Sequence, residues 1–185
     1  MIRRFIDRIF NPPPRQKKLI HGHQVAPKKI TKRTHHINPD LLSKNAVKVT
    51  DVLQEAGFDA YIVGGAVRDL LLGIAPKDFD VATNATPEQV QKLFRRSRLI
   101  GRRFQIVHVT FYGKERPEII EVSTFRAHVQ ADDAHVAANG RILRDNVWGS
   151  QAEDATRRDF TINAMYYDPH TETVLDYHGG IEDIA

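Results

Sequence analysis

Ile62-Val63-Gly64-Gly65-Ala66-Val67-Arg68-Asp69, followed after a short connection by Lys77-Asp78-Phe79-Asp80-Val81-Ala82-Thr83, is the stretch on which the reading of this chain turns. Residues 60–63 form a short apolar strand, Gly64-Gly65 breaks it, and a helix follows over 66–72 and stops at Gly73. Glycines at such a turn let the backbone approach a phosphate, and the helix start offers free N–H groups and the positive end of its dipole. Arg68, one turn in, has the fork geometry that suits phosphate oxygens. Residues 79–82 are the next strand. Residues two apart on a strand share a face, so Asp78 and Asp80 point one way and Phe79 and Val81 the other. Two carboxylates a few ångströms apart repel unless a cation sits between them. Mg²⁺ takes oxygen ligands and keeps waters and substrate phosphates in its shell, so the pair suits phosphoryl or nucleotidyl transfer on two metal ions.

The neighbouring segments supply a sheet and its helices. Asn38-Pro39 gives an N-cap and a first-turn proline, and Gly57 a stop, so a helix is expected over 39–56 with Leu41, Leu42, Ala46, Val49, Val52, Leu53 and Ala56 on its apolar face. Thr86-Pro87-Glu88-Gln89 is a capping box, which starts a helix expected to reach about Ser97. Strands are expected over 105–112 and 118–125, joined by a turn at Gly113, with a long loop over 127–148. A helix over 160–166 and a strand over 173–177 complete the reading. Strands and helices mix without strict alternation, which predicts an α/β fold with a small mixed sheet flanked by helices.

The chain has 185 residues, 41% of them hydrophobic, enough for one domain with a core. It has no cysteine, which excludes disulfides, thiolate nucleophiles and cysteine-ligated zinc, and suits a reducing cytoplasm. The formal charge of +4 is unevenly divided: residues 1–40 hold ten Lys/Arg against Asp7 and Asp40, while the remainder holds seventeen Lys/Arg against twenty-one Asp/Glu. A basic, disordered arm and linker over 1–37 is therefore expected ahead of a domain over 38–185. Its first ten residues place Ile2, Phe5, Ile6, Ile9 and Phe10 on one helical face, before Pro12-Pro13-Pro14 ends the helix. Such an arm is attracted to polyanions, either RNA or an anionic membrane surface, giving an expected location in the cytoplasm or peripherally at the inner membrane.

Gly64-Gly65-Ala66-Val67-Arg68-Asp69 and Asp78-Phe79-Asp80 resemble the signature of the class II nucleotidyltransferases, the bacterial poly(A) polymerases and CCA-adding tRNA nucleotidyltransferases. Arg157-Arg158-Asp159-Phe160-Thr161-Ile162-Asn163-Ala164 matches that family's second signature, and Glu121-Val122-Ser123-Thr124-Phe125-Arg126 a third. The resemblance runs from about Leu41 to Ile184. It implies a polymerase-β-type nucleotidyltransferase head, in which Asp78 and Asp80 bind Mg²⁺ beside the RNA 3′ hydroxyl and the triphosphate. It further implies that Gly64, Gly65 and Arg68 grip the nucleotide and that Arg157, Arg158 and Asp159 contact its sugar and phosphates.

A third carboxylate is usual at such sites, and two compete. Glu121 lies on a strand with its neighbours facing the other way, whereas Asp159 carries the family match and is preferred as catalytic. The run Leu99 to Val109 and Glu153-Asp154-Ala155-Thr156 look like the poly(A) polymerase branch, and imply ATP and RNA 3′ ends as partners. Lys92, Arg95, Arg96, Arg98, Arg102 and Arg103 concentrate positive charge that suits an RNA backbone, with Arg95, Arg96, Arg102 and Arg103 the chief candidates. The rival readings are a CCA-adding enzyme and a non-catalytic RNA- or nucleotide-binding module. A serine hydrolase and a Walker-type phosphate loop find no motif. The chain stops at Ile184-Ala185 without a closing element, so the natural protein is expected to continue into the family's neck, which carries base selection.

Overall fold

The computed structural model describes residues 26–102, 104–113, 116–127 and 148–184, with the backbone of 135–136 and 142–144. The amphipathic stretch 1–10 and Arg103 lie outside the described residues. Strand β1 (Lys28–Thr31) leads into a single helical turn α1 (Lys32–His35), a 3₁₀ turn at Pro39–Leu41 and helix α2 (Lys44–Glu55). Then come β2 (Ala60–Val63), α3 (Gly65–Leu71), β3 (Asp80–Thr83), α4 (Pro87–Leu93), β4 (Ser97–Ile100), β5 (Ile106–Phe111) and β6 (Glu118–Thr124). A short hairpin of β7 (His135–Val136) and β8 (Ile142–Arg144) precedes α5 (Gln151–Thr156), a 3₁₀ turn at Thr161–Asn163, β9 (Met165–Asp168), β10 (Thr173–Asp176) and α6 (Gly180–Ile184).

Eight strands form one mixed sheet in the order β1-β10-β9-β2-β3-β6-β5-β4. β3 and β6 run parallel, and the other neighbouring pairs run antiparallel. One face carries Ile62, Val81, Val107, Val109, Ile120 and Val122, which join Ala46, Val49 and Leu53 of α2 and Val90 of α4 in the main core. Burying each such aliphatic side chain contributes about 1.5–3 kcal/mol. The other face is apolar only in its middle, where Val63, Ala82, Phe125, Ala155, Tyr166 and Leu175 form a smaller core under α5. Tyr166 lies edge-to-face against Tyr61, Phe125 and Tyr177 with ring centroids 6.1–6.2 Å apart.

Several expected elements change shape. The helix expected over 39–56 splits because two caps compete: Asn38 Oδ1 accepts from Asp40 N at 3.0 Å and closes only a 3₁₀ turn. Leu42 is then extended, and Ser43 Oγ accepts from Asn45 N and Ala46 N at 3.2 and 3.1 Å to start the true helix. Its end is as expected. Gly57 has φ 85°, with Phe58 N donating to Leu53 O at 3.0 Å and Gly57 N to Gln54 O at 2.9 Å, the paired pattern of a left-handed glycine stop.

The helix expected to reach Ser97 ends at Leu93, because Phe94 turns extended to bury its ring and releases 97–100 as an edge strand. In place of the helix expected over 160–166, a 3₁₀ turn leads into β9, whose Met165, Tyr166 and Tyr167 are buried on both faces of the sheet. Within the region read as a loop, the β7–β8 hairpin is present, and α5 follows it behind a capping box between Ser150 and Glu153. Residues 28–36, read as linker, take part in the fold. β1 pairs with β10, Ile30 is buried, and His35 accepts from Ile37 N through Nδ1 while its Nε2 meets Glu172 O at 2.9 Å. Among the described residues no helix is long and apolar enough to cross a membrane.

Candidate active site

Asp80 opens β3, and the sheet register decides what stands beside it. Its partners are Val63 on β2 and Glu121 on β6; Glu121 is in turn opposite His108 on β5, which is opposite Arg98 on β4. Residues paired across strands share a face. Arg98, His108, Glu121 and Asp80 therefore form one row, on the side of the sheet away from the main core. His108 Nε2 lies 3.2 Å from Glu121 Oε1. Asp78 precedes the strand and is exposed, whereas Phe79 and Val81 are buried in the main core.

The electrostatics follow from this crowding. Asp80 keeps one side open to solvent, yet the groups packed around it withdraw enough water to push its carboxyl up to about 6. The charge of Glu121 pushes the same way, Arg158 opposes it, and Asp78 adds a smaller upward push. Gly64 sits directly alongside. Its φ of 72° and ψ of −142° belong to a region that L side chains avoid, and a Cβ there would lie 3.8 Å from both Asp80 Oδ2 and Arg158 Nη1. Glycine thus leaves the strand-to-helix turn open against an acid and a base at once.

The arginines are held from behind. Arg68 donates through Nε and Nη2 to Asp69 Oδ1 at 2.9 and 2.8 Å, and through Nη1 to Asn163 Oδ1 at 3.0 Å. Arg157 and Arg158 converge on one buried acid, Asp154, at 2.5 and 3.1 Å, and Arg158 also lies over the Tyr166 ring at 5.5 Å. Burial alone would raise the Asp154 carboxyl. Arg158 and Arg157, with the Tyr166 hydroxyl at 2.7 Å and the Arg126 amide at 3.1 Å, more than offset this and hold it below the usual carboxylate range. Arg158 Nε is buried and makes no hydrogen bond among the described residues.

Gly64, Asp80, Glu121 and Arg158 are therefore brought together, with Asp78 within electrostatic reach. Gly65 lies over Arg68, where a Cβ would come within 3.4 Å of Nη2. Asp159 is exposed, and its Oδ1 accepts from Phe160 N at 3.0 Å. Of the two contenders for a third carboxylate, Glu121 is the one paired in register with Asp80. Arg95 and Arg96 lie in the connection after α4 rather than on a helix, Arg98 is on β4, and Arg102 is exposed in the turn before β5. Asp154, Asn163 and Tyr166 carry the arginines and were not assigned roles from sequence. The spacing of Asp154, three and four residues ahead of two arginines, was the available signal.

Whether these residues suit a divalent cation is a question of donor chemistry. Among the described residues no group of three His, Cys, Asp or Glu side chains is close enough to cage a metal. Mg²⁺ is ordinarily held by only one or two carboxylates, with water and substrate phosphates completing its shell. The mutual repulsion of Asp80 with Glu121 and Asp78 is what such an ion relieves, so the residues present fit it.

The family profile described as the poly A polymerase head domain matches residues 60–185, from the first residue of β2 onward. The chain belongs to this family. Among its relatives, Poly(A) polymerase I of Salmonella typhi is 54% identical over 160 residues, which cover 84% of this chain and 34% of that protein. The CCA-adding enzyme of Lactobacillus helveticus is 39% identical over 146 residues, covering 79% and 34%. The solved structure of the Bacillus stearothermophilus CCA-adding enzyme in complex with CTP superposes with a TM-score of 0.58 at 36% identity, covering 80% of this chain and 32% of that one. The chain spans about a third of the length of these relatives. As a poly A polymerase head domain, it keeps Gly64, Asp80, Glu121 and Arg158 inside the matched range, whereas β1 and α2 stand ahead of it.

Proposed function

We propose that this head domain carries the catalytic centre of a polynucleotide adenylyltransferase that adds AMP from ATP to RNA 3′ ends without a template and releases pyrophosphate. The observation that carries this reading is the in-register Asp80–Glu121 pair beside the Gly64 opening and the Arg158 guanidinium. In the reaction the RNA 3′ oxygen forms a bond to the α-phosphorus, the bond to the leaving pyrophosphate breaks, and the hydroxyl proton is lost. Asp78, Asp80 and Glu121 would hold Mg²⁺, which supplies charge neutralisation at the phosphates and acidifies the hydroxyl. Gly64 and Gly65 leave room for the triphosphate against the backbone. Arg158 and Arg68 face it with guanidinium groups fixed by Asp154 and Asp69, and Arg157 shares the Asp154 anchor. Asp159, exposed next in sequence, is assigned to contact with the nucleotide. The 54% identity to Poly(A) polymerase I, against 39% to a CCA-adding enzyme, supports ATP and RNA 3′-end processing over tRNA end repair.

Asp78→Ala and Asp80→Ala, each in the full-length protein, are expected to lower incorporation of labelled ATP into RNA by at least about 10³-fold while the protein stays folded. Near-normal incorporation by either variant overturns the assignment. A preference for CTP on tRNA ends over ATP on unrelated RNA moves the protein to the CCA-adding branch.

A further inference from the structure

At the far end of the Asp80 row the sheet stops at β4, and its corner is basic. A cleft of about 490 Å³ opens there, lined by Arg95, Arg96, Arg98, His108 and Tyr112, and no acidic side chain lines it among the described residues. A second cleft of about 860 Å³ shares Arg95, Arg96 and Tyr112 and adds Lys48 and Arg116. Glu118, the one acid among the described residues lining the second cleft, is engaged by the Ser43 hydroxyl and by the Asn45 amide at 2.5 Å.

Arg95, Arg96 and Arg98 are all exposed, and none makes an ion pair among the described residues. That contrasts with Arg68, Arg157 and Arg158, each of which rests on a carboxylate. Three uncompensated guanidinium groups within four residues repel one another, and a polyanion laid across them removes the repulsion. Tyr112 is 67% exposed, with the Arg96 guanidinium 5.2 Å from its ring centroid. An exposed aromatic ring among cations is the arrangement that holds single-stranded nucleic acid, phosphates on the charges and an unstacked base on the ring.

We infer that this corner is the docking surface for the single-stranded RNA upstream of the reacting 3′ end. The inference rests on the nucleotidyl-transfer reading of Asp80 and extends it to where the rest of the substrate lies. The row Asp80, Glu121, His108, Arg98 crosses three strand spacings, about 14 Å, along one face. An RNA strand with its end at Asp80 reaches Arg98 without leaving that face, and then turns over Arg96 and Tyr112. A duplex, whose bases are stacked inside, gains nothing from the ring.

The test is binding of a fluorescent oligoadenylate to the full-length protein over a series of salt concentrations, beside its ATP affinity. The triple variant R95A/R96A/R98A is expected to bind at least about tenfold more weakly at low salt. It is also expected to flatten the slope of log affinity against log salt by about 2, the single-strand value for three lost phosphate contacts, with ATP affinity kept. The all-lysine triple variant is expected to restore the slope. Tyr112→Ala is expected to weaken binding about fivefold or more with the slope unchanged. Wild-type affinity and slope in a folded alanine triple variant overturn the inference, and if wild-type protein then adds AMP normally, the catalytic reading stands without it. Loss of the slope in a protein that adds no AMP keeps the surface and overturns the catalytic reading instead.

Discussion

The two faces of the sheet are built from alternate residues of the same strands, yet they obey opposite rules. Val81, Val122, Val107 and Leu99 turn toward α2 and α4, where apolar burial supplies stability. One residue away, Asp80, Glu121, His108 and Arg98 turn the other way and form a row of ionisable groups that the described residues leave at least partly open to solvent. The helix-covered face does the stabilising, and it does so while the opposite face holds carboxylates whose repulsion works against folding. A strand with period-two alternation can serve both needs because neither face sees the other. The smaller aromatic core under α5 marks the border, since Tyr166 packs in it and also donates to Asp154, which holds Arg158 beside Asp80.

The largest expected effect separates the faces most cleanly. Asp80→Asn should abolish nucleotide addition, by about 10³-fold or more, and should raise the melting temperature. Because the folded carboxyl titrates at about 6, above the ordinary range for an unfolded Asp, this group costs stability as pH rises through that window. Thermal melts from pH 4 to 7 should show that fall in the wild type and not in the variant; a lower melting temperature for the variant would mean that the repulsion is absent.

Asp154→Asn tests the border. Removing the buried acid leaves Arg157 and Arg158 without their shared partner and is expected to cost about 3–5 kcal/mol in urea unfolding. The sign with pH is opposite to that of Asp80. A carboxylate held low contributes stability that is present above its unfolded value and lost as pH falls through the folded one, so the wild type should lose stability on acidification more steeply than the variant. Leu53→Ala breaks only the covered face. It should cost about 2–5 kcal/mol while leaving nucleotide addition per folded molecule unchanged, and a selective loss of addition would show that the faces are coupled. Gly64→Ala should have the smallest thermodynamic effect, about 1–3 kcal/mol of backbone strain, with a rise in KM for ATP as its kinetic mark.

Much of this division is legible from residue order. The Gly64-Gly65 turn, the strand at 60–63 and the outward Asp80 follow from local rules, and the capping box at Thr86 and the stop at Gly57 stand where their chemistry puts them. The failures share a cause. Asn38 and Ser43 are both good caps, and only tertiary packing chooses between them. Met165-Tyr166-Tyr167 reads equally as helix or strand, and what selects the strand is a seat between β2 and β10, a long-range fact. For the same reason the preference for Asp159 over Glu121 rests on motif order alone, since the β3–β6 register that sets Glu121 beside Asp80 joins residues far apart in the chain. β1 escaped notice because its four residues include a single buried one, Ile30.

The order of the strands also fixes a distance between the chain's two basic regions. β1, through which the lysine- and arginine-rich N-terminal residues enter the body, is one rim of the sheet, and β4 with Arg98 is the other, seven spacings or about 34 Å away. Lys28 and Lys29 on β1 and Lys32 just after it therefore stand at the opposite rim from the arginine corner. Only a ligand long enough to traverse that width can touch both rims at once.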